Sequence, residues 1–333
     1  MRFGLFLQPL HHPSENPTSA LQRDLDLVVL LDELGFSEAW IGEHHSSGWE
    51  NIAAPEVFIA AAAERTSSIR LGTGVLQLGL HHPLVALDRM IFLDHLTQGR
   101  AAFGMGVGGG IPSDLSVFGL NHESAGRRLQ ESIEAMLALL EGSEPVSIKS
   151  DWFELADAVL QIRPYTEPHM PVAMASGQPS NVELMGRLGG SVLLGGDATA
   201  VPDVWAHLQS GAAQSDKSAS RDQIMLSTVL HLAESTDEAV AGFKDGAISE
   251  FYEFQVGWNG RPEPEGTRDD WYESYVRRSI IGSPTDAIEK IGAMNEQAGG
   301  VGGLIFMTRD WAGPEAQRDT WRLFAEEVAP HFT

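Results

Sequence analysis

The sequence contains no cysteine. Disulfides, thiolate nucleophiles and iron–sulfur ligation are thereby excluded. Positive charge is scarce: 22 Lys and Arg against 46 Asp and Glu leave a formal net charge of −24. Nucleic acid and anionic membrane are poor partners for such a surface. No apolar run is long enough to cross a bilayer, and no charged-then-apolar leader precedes the first strand-like segment. A cytoplasmic location is the expectation. There is no internal repeat and no low-complexity tract. What is present, 333 residues of which 43% are apolar and 20% charged, suits a soluble chain with a large core.

Strand-like and helix-like segments alternate along the chain. Apolar runs at 3–8, 37–41, 69–78, 101–107, 171–175, 191–194, 224–233 and 303–307 read as strands. Between and after them, 21–34, 55–65, 84–96, 123–140, 181–188, 202–213, 237–254, 284–298 and 314–331 carry helical spacing, often with proline near the start or glycine at the end. Segments 152–155 and 159–162 resemble a hairpin, and 257–267, rich in glycine, proline and charge, reads as exposed. Repeated βα units with a count of eight favour an α/β fold closed as a (β/α)₈ TIM barrel over an open doubly wound sheet. One domain over 1–333 is expected, with insertions near 146–162 and 255–280.

Three of the first strands end in histidine pairs: His11-His12, His44-His45 and His81-His82. Parallel α/β folds place active sites at the carboxyl ends of their strands. Imidazole titrates near neutrality, so at least one of these rings suits acid–base work; the alternative is that each caps a strand end. The rings are adjacent rather than spaced as His-x-His, and no His-Glu-x-x-His occurs, so no metal is expected. The run Gly104-Met105-Gly106-Val107-Gly108-Gly109-Gly110 is followed by Ile111-Pro112, out of register for a dinucleotide fingerprint, and suits close contact with a flat ligand instead. Ala175-Ser176-Gly177-Gln178-Pro179-Ser180-Asn181 leads from a strand into a helix whose amino terminus could hold a phosphate without lysine; an ordinary cap is the other reading. Gly72 and Gly74 inside the third strand suggest a bulge or a close backbone approach. Trp49, Phe118 and Phe306 are candidates for an apolar pocket or simply for the core.

Together these residues resemble the bacterial luciferase-like flavin monooxygenases. The resemblance runs from Arg2-Phe3-Gly4-Leu5-Phe6 through Gly35-Phe36-Ser37-Glu38-Ala39-Trp40-Ile41-Gly42-Glu43-His44-His45, Arg70-Leu71-Gly72-Thr73-Gly74, His82-Pro83-Leu84 and Leu93-Asp94-His95-Leu96-Thr97-Gln98-Gly99-Arg100 to Gly282-Ser283-Pro284. Residues 39–45 look most like the limonene-monooxygenase-type subgroup. The resemblance implies reduced FMN supplied by a separate flavin reductase, dioxygen, and oxidation of a small or medium apolar substrate: a terpene, ketone, aldehyde or polyketide. It implies His44 as the catalytic residue, and a cis peptide at Gly74-Val75 beside the isoalloxazine. At Gly106 and Val107 the luciferase subunit has a cysteine and a phosphate-contacting arginine, and neither is here. The phosphate therefore falls to Gly177, Gln178, Ser180 and Asn181, with Gly74, Val75, Gly106, Ala175 and Ser176 as the other expected cofactor contacts. His11, Trp49, His81 and Phe306 are the expected substrate-pocket residues, and a homodimer is the expected assembly. A deazaflavin-dependent oxidoreductase and a non-catalytic flavin-binding subunit remain open alternatives.

Overall fold

The computed structural model describes residues 1–108, 110–307 and 309–332. Gly109, in the glycine run read as a ligand-contact loop, lies outside the described residues. The βα units start and stop on local signals. Asn16 accepts a hydrogen bond from Ser19 N at 3.1 Å, and Pro17 presets the first turn of helix Pro17–Glu33. Leu25, Val28 and Leu31 share the buried face of that helix. Gly35 then leaves through the left-handed region at φ +81°. Reciprocal caps at Asn121 with Ser124, and at Ser283 with Asp286, start helices His122–Glu141 and Pro284–Ala298.

Among the described residues, eight strands form a parallel ring: β1 (Arg2–Leu7), β2 (Glu38–Ile41), β3 (Arg70–Thr73), β4 (Ala101–Gly106), β5 (Val172–Met174), β6 (Ser191–Gly195), β7 (Ile224–Leu232) and β8 (Gly303–Met307), and two short strands, Leu76–Gln77 and Ile280–Gly282, pair in parallel with β4 and β7. Each of the eight neighbours the next, and β8 pairs back to β1, so the sheet closes as a (β/α)₈ barrel. Strand alternation sends Trp40, Ala102, Ala173, Leu193, Met225 and Ile305 to the barrel axis, with Phe6 packed on them. The opposite set, including Leu5, Ile41, Leu71 and Phe306, meets the helices.

Trp40 explains the strand glycines. A Cβ on Gly72 would overlap the Trp40 ring, and one on Gly104 would overlap the Thr73 carbonyl oxygen and come within 3.0 Å of the same ring. The glycines mark a close approach, and the strand expected over 69–78 is interrupted there. It stops at Thr73, the Gly74-Val75 peptide is cis, Leu76–Gln77 forms a short strand against β4, and Leu78–Leu80 makes a 3₁₀ turn.

One expected element is corrected and one is added. The hairpin pairs Val146–Lys149 with Glu154–Ala158, not 152–155 with 159–162. Its turn forms earlier because Ser150 Oγ accepts from Trp152 N and Phe153 N, both at 3.2 Å. Trp152 leaves the strand to lie under the Arg128 guanidinium and donate to Glu131 at 2.7 Å. Within 255–280, where an insertion is expected, the structure adds the helix Arg268–Arg278. Its capping pair Thr267 and Asp270 is legible, but acids and arginines surround Trp271 and Tyr272, so little apolar periodicity shows. The preceding helix ends at Glu250 and continues in wider turns over Phe251–Trp258.

Gly104→Ala should destabilise the protein by about 3 kcal/mol, since backbone stands where the methyl must go. Gly126→Ala, in helix His122–Glu141 with nothing near its Cβ position, should stabilise by about 0.5–1 kcal/mol. Urea unfolding of the two variants checks both signs.

Candidate active site

The loop after β2 folds back over the barrel mouth. Gly42 N still donates to Leu7 O at 3.0 Å, and a Cβ on Gly42 would lie 3.7 Å from His44 Nε2. His44 Nδ1 lies 2.8 Å from Asp114 Oδ2 and 2.9 Å from Glu50 Oε2. One hydrogen cannot serve both: it is aligned on Asp114, and Glu50 Oε2 contributes charge without an aligned bond. Burial alone would lower the imidazole pKa, but Asp114 and Glu50 outweigh it and raise it from 6.5 to about 10. Nε2 has no hydrogen bond to any described residue. His44 is therefore an imidazolium at neutral pH, with one N–H committed and the other available. That is the state of a proton donor, not of a base.

Asp114 also accepts from His45 N at 2.7 Å, which sets the backbone of the loop. The His45 ring turns elsewhere. Its Nε2 is 2.9 Å from Glu43 Oε1, and its edge meets Phe118 at 5.3 Å between centroids. His81 Nε2 is 2.7 Å from the same oxygen, while Gln77 N donates to Glu43 Oε2 at 2.6 Å. Gln77 Nε2 returns to Glu43 O at 2.7 Å. Burial would raise the Glu43 pKa, but these donors reverse it and hold it at about 2.

A cavity of about 300 Å³ opens at the mouth, over the inward side chains Phe6, Leu193 and Ile305. Gly74, Val75, Ala175, Ser176 and Gly177 line it, five of the nine residues nominated for the cofactor. Gly106 does not, because Val75 covers it: a Cβ there would be 2.6 Å from Val75 Cγ2. Gln178, Ser180 and Asn181 form the start of helix Pro179–Leu188 instead. Asn181 is buried, with its amide tied to Ser176 Oγ at 3.0 Å and to Gln130 at 2.7 Å. No side chain caps this helix, so its positive end is free to meet an anion.

The four residues nominated for the substrate pocket do not line this cavity. His11 Nε2 is 2.9 Å from buried Asp24, and Arg23 lies against its Nδ1. His11, Glu15 and Asp310 stand close enough to hold a metal ion, but the Arg23 guanidinium already sits among them, 2.5 Å from Glu15 and 2.9 Å from Asp310. His81 is committed to Glu43. Trp49 is buried with Leu10, Ile111 and Phe254. Phe306 is wholly buried on the helix side, against Phe3, Trp321 and Phe324, because alternation gives the inward position to Ile305. Asp114, Glu50 and Gln77 escaped the sequence reading. Asp114 follows the glycine run at the end of β4, a plausible place for a working acid, but nothing local couples it to a histidine 70 residues away.

His44 should remain protonated at pH 8, where an ordinary imidazole is neutral, and titrate near 10. A raised pKa stabilises the fold fully below the unfolded value near 6.5, and that contribution is lost as pH rises through about 10. Asp114→Asn should bring the midpoint down towards 6.5. Imidazole NMR of both proteins measures it, and a wild-type midpoint at the ordinary value sinks the assignment.

A family model described as luciferase-like monooxygenase matches residues 1–301. A 4-hydroxyprotoasukamycin monooxygenase from Streptomyces nodosus subsp. asukaensis is 40% identical, covering 99% of this chain and 92% of its own. Limonene 1,2-monooxygenase from Rhodococcus erythropolis is 34% identical, covering 99% and 86%. Among solved structures, the oxygenating constituent of 3,6-diketocamphane monooxygenase from Pseudomonas putida, a type II Baeyer–Villiger monooxygenase in complex with FMN, matches with a TM-score of 0.83. It covers 100% of this chain and 99% of its own at 22% identity, a likeness of fold. No helix among the described residues is long and apolar enough to cross a membrane. With a closed parallel barrel, a cavity at its mouth and a family match over nearly its whole length, this chain belongs to the luciferase-like monooxygenase family.

Proposed function

We propose that the protein is the oxygenase of a two-component system, taking reduced FMN from a separate flavin reductase and using dioxygen to oxidise an apolar organic molecule. The observation that carries this reading is a juxtaposition at the end of β2. The His44 ring lies beside Gly42 at that end, next to the lining of the mouth cavity but not part of it, and Gly74 N donates to Ile41 O there at 2.6 Å, bringing in the cavity wall. The residues present fit a flavin. The floor is apolar, the walls are the backbones of residues 74–75 and 175–177, and a Cβ on Gly177 would meet only Leu194 Cδ2, at 3.8 Å. The uncapped helix Pro179–Leu188 offers a phosphate its positive end. The monooxygenase names of two relatives above 30% identity, and the FMN held by a protein of the same fold, support the reading. The glycine run after β4 leads into helix Pro112–Ser116, only five residues long, which is no dinucleotide site and favours delivery of the flavin already reduced.

Bound reduced FMN supplies the electrons that dioxygen needs. The chain supplies the rest. His44 holds a proton on Nε2, and Asp114 and Glu50 keep the ring charged and fix its orientation. Phe6, Leu193 and Ile305 exclude water from the floor of the mouth.

Two variants should fail in opposite ways. Gly177→Leu should keep the fold and weaken reduced-FMN binding by roughly tenfold or more, since its side chain enters open cavity. His44→Ala should bind reduced FMN nearly as the wild type does, continue to consume oxygen, and release hydrogen peroxide, with product formation down ~10²–10⁴-fold. Anaerobic flavin titration and oxygen-electrode assays over a panel of terpenes, ketones, aldehydes and polyketides separate them. Normal product yield from His44→Ala defeats the role given to that ring.

The proposal includes a homodimer. Helices Pro55–Ala63 and Pro83–Leu96 pack together and turn Val57, Val85, Phe92 and Leu96 to solvent, with Phe92 58% exposed. Val85, Phe92 and Leu96 follow one stripe of the second helix, with the Arg89–Glu56 ion pair among them, and exposed apolar side chains grouped in this way favour an interaction surface. Phe92→Asp should convert dimer to monomer in sedimentation equilibrium, and an unchanged mass removes this face from the assembly.

A further inference from the structure

We propose that a large cavity at the carboxyl ends of β6, β7 and β8 is the entry route for reduced FMN, in which arginines draw the cofactor's phosphate towards the mouth against the charge of the protein as a whole. This rests on the reading above that the flavin arrives by diffusion from a separate reductase. The cavity has a volume of about 770 Å³ and meets the mouth cavity at Ser227, which lines both. At the end of β6 the border falls between Gly195, on the mouth side, and Gly196, and a Cβ on Gly195 would meet nothing within 4 Å. No side chain of β6 stands in the passage.

A phosphate monoester carries roughly −1.5 to −2 charges at pH 7. A chain of net charge −24 repels such a ligand wherever salt does not screen it. Charge in this cavity runs the other way. Five of the chain's 22 Lys and Arg line it, Arg261, Arg277, Arg278, Lys290 and Arg309, against two acids, Asp197 and Glu250. Burial, with Arg309 opposing it, raises the Glu250 pKa to about 7, so near neutrality part of that acid's charge is withdrawn.

The cations divide by what they already hold. Lys290 Nζ donates to three backbone carbonyls, and Arg309 Nε lies 3.5 Å from Glu250 Oε1; both are built into the walls. The Arg261 guanidinium has no hydrogen bond or ion pair with any described residue. Arg278 donates to the neutral Ser274 hydroxyl at 3.1 Å. The Arg277 side chain is 69% exposed and 3.8 Å from an equally open Glu273, a pair that holds little. These three guanidiniums are available to an anion at the solvent end. A cleft lined by one sign of charge focuses its field and raises association rates by ~10–10³-fold. Gly177, ahead of the helix proposed to seat the phosphate, borders the mouth cavity and not this one. The arginines therefore act on arrival rather than on retention.

The test is anaerobic stopped-flow binding of reduced FMN to the full protein, between about 20 and 300 mM salt. Arg261→Glu combined with Arg277→Glu should lower the association rate about tenfold or more at the lowest salt and leave the dissociation rate within about twofold. Arg261→Gln with Arg277→Gln should give about half that loss on a logarithmic scale. Added salt should shrink the gap between each variant and the wild type. Lys149→Glu with Lys217→Glu makes the same change in net charge at residues that do not border the cavity, and should slow association far less. Reduced riboflavin, which lacks the phosphate, should lose less than reduced FMN in the arginine variants. An equal loss in the lysine variant, an equal loss with riboflavin, or an effect confined to dissociation overturns the proposal. The readings also separate: reduced FMN that binds at a rate indifferent to the arginines defeats only this inference, whereas a wild-type protein that binds no reduced FMN defeats the monooxygenase reading and this one with it.

Discussion

A carboxylate removed from water must be surrounded by donors or give up its charge, and the mouth of this barrel is assembled around two that are so surrounded. Glu43 is the meeting point of His45, His81 and both nitrogens of Gln77, groups from the ends of β2 and β3. Asp114 does the same for His44 and the His45 backbone, drawing the segment after β4 onto the loop after β2. Removing a donor strands a buried charge, so the loops have little freedom to settle elsewhere. The same pairing that orders the mouth holds His44 as an imidazolium. Architecture and acid–base chemistry therefore share one set of interactions, and the proton on Nε2 is a consequence of how the loops are tied down.

Beneath that layer the constraint is steric. Trp40 occupies the barrel axis, and Gly72 and Gly104 are the room it requires. The interruption of the third strand follows directly above, and the cis Gly74-Val75 peptide becomes cavity wall rather than ladder. Above the tryptophan, the inward side chains Phe6, Leu193 and Ile305 make an apolar floor, and glycine at 177 leaves the wall open. A bulky core residue low in the barrel and missing side chains higher up together leave a space for a flat ligand.

The large acidic excess is reconciled with this by location. The acids the site uses are buried and paired. Against the overall sign, a second cavity of about 770 Å³ beside β7 and β8 is ringed by Arg261, Arg277, Arg278, Lys290 and Arg309, with Glu250 the acid pushed towards neutrality by its burial. The cation at Lys290 is itself consumed in closing backbone, donating to Val276 O, Ser279 O and Ile281 O. Ten of the cavity's 22 lining residues come from 250–280, the part of the chain where the βα rhythm is weakest.

The sequence by itself determined the eight-fold βα alternation, because helix caps, glycine stops and apolar periods are local and each is visible within a few residues. It marked the strand ends that carry histidine, and the glycine-bearing segments at 74–75 and 175–177 that line the mouth. It could not determine which carboxylate each histidine meets. His11, His44, His45 and His81 look alike in one dimension, and only the fold shows that His44 faces Asp114 and Glu50, that His45 and His81 share Glu43, and that His11 pairs with Asp24. It placed Phe306 in the pocket because a one-residue phase error along β8 exchanges inside for outside, and no local pattern sets that phase. It lost the helix Arg268–Arg278, whose apolar face is two residues in a charged stretch and becomes a wall only when packed against the barrel. Local signals decide what each segment is. Burial, pairing and the carboxylate each histidine meets are long-range properties, and the closed barrel alone settles them.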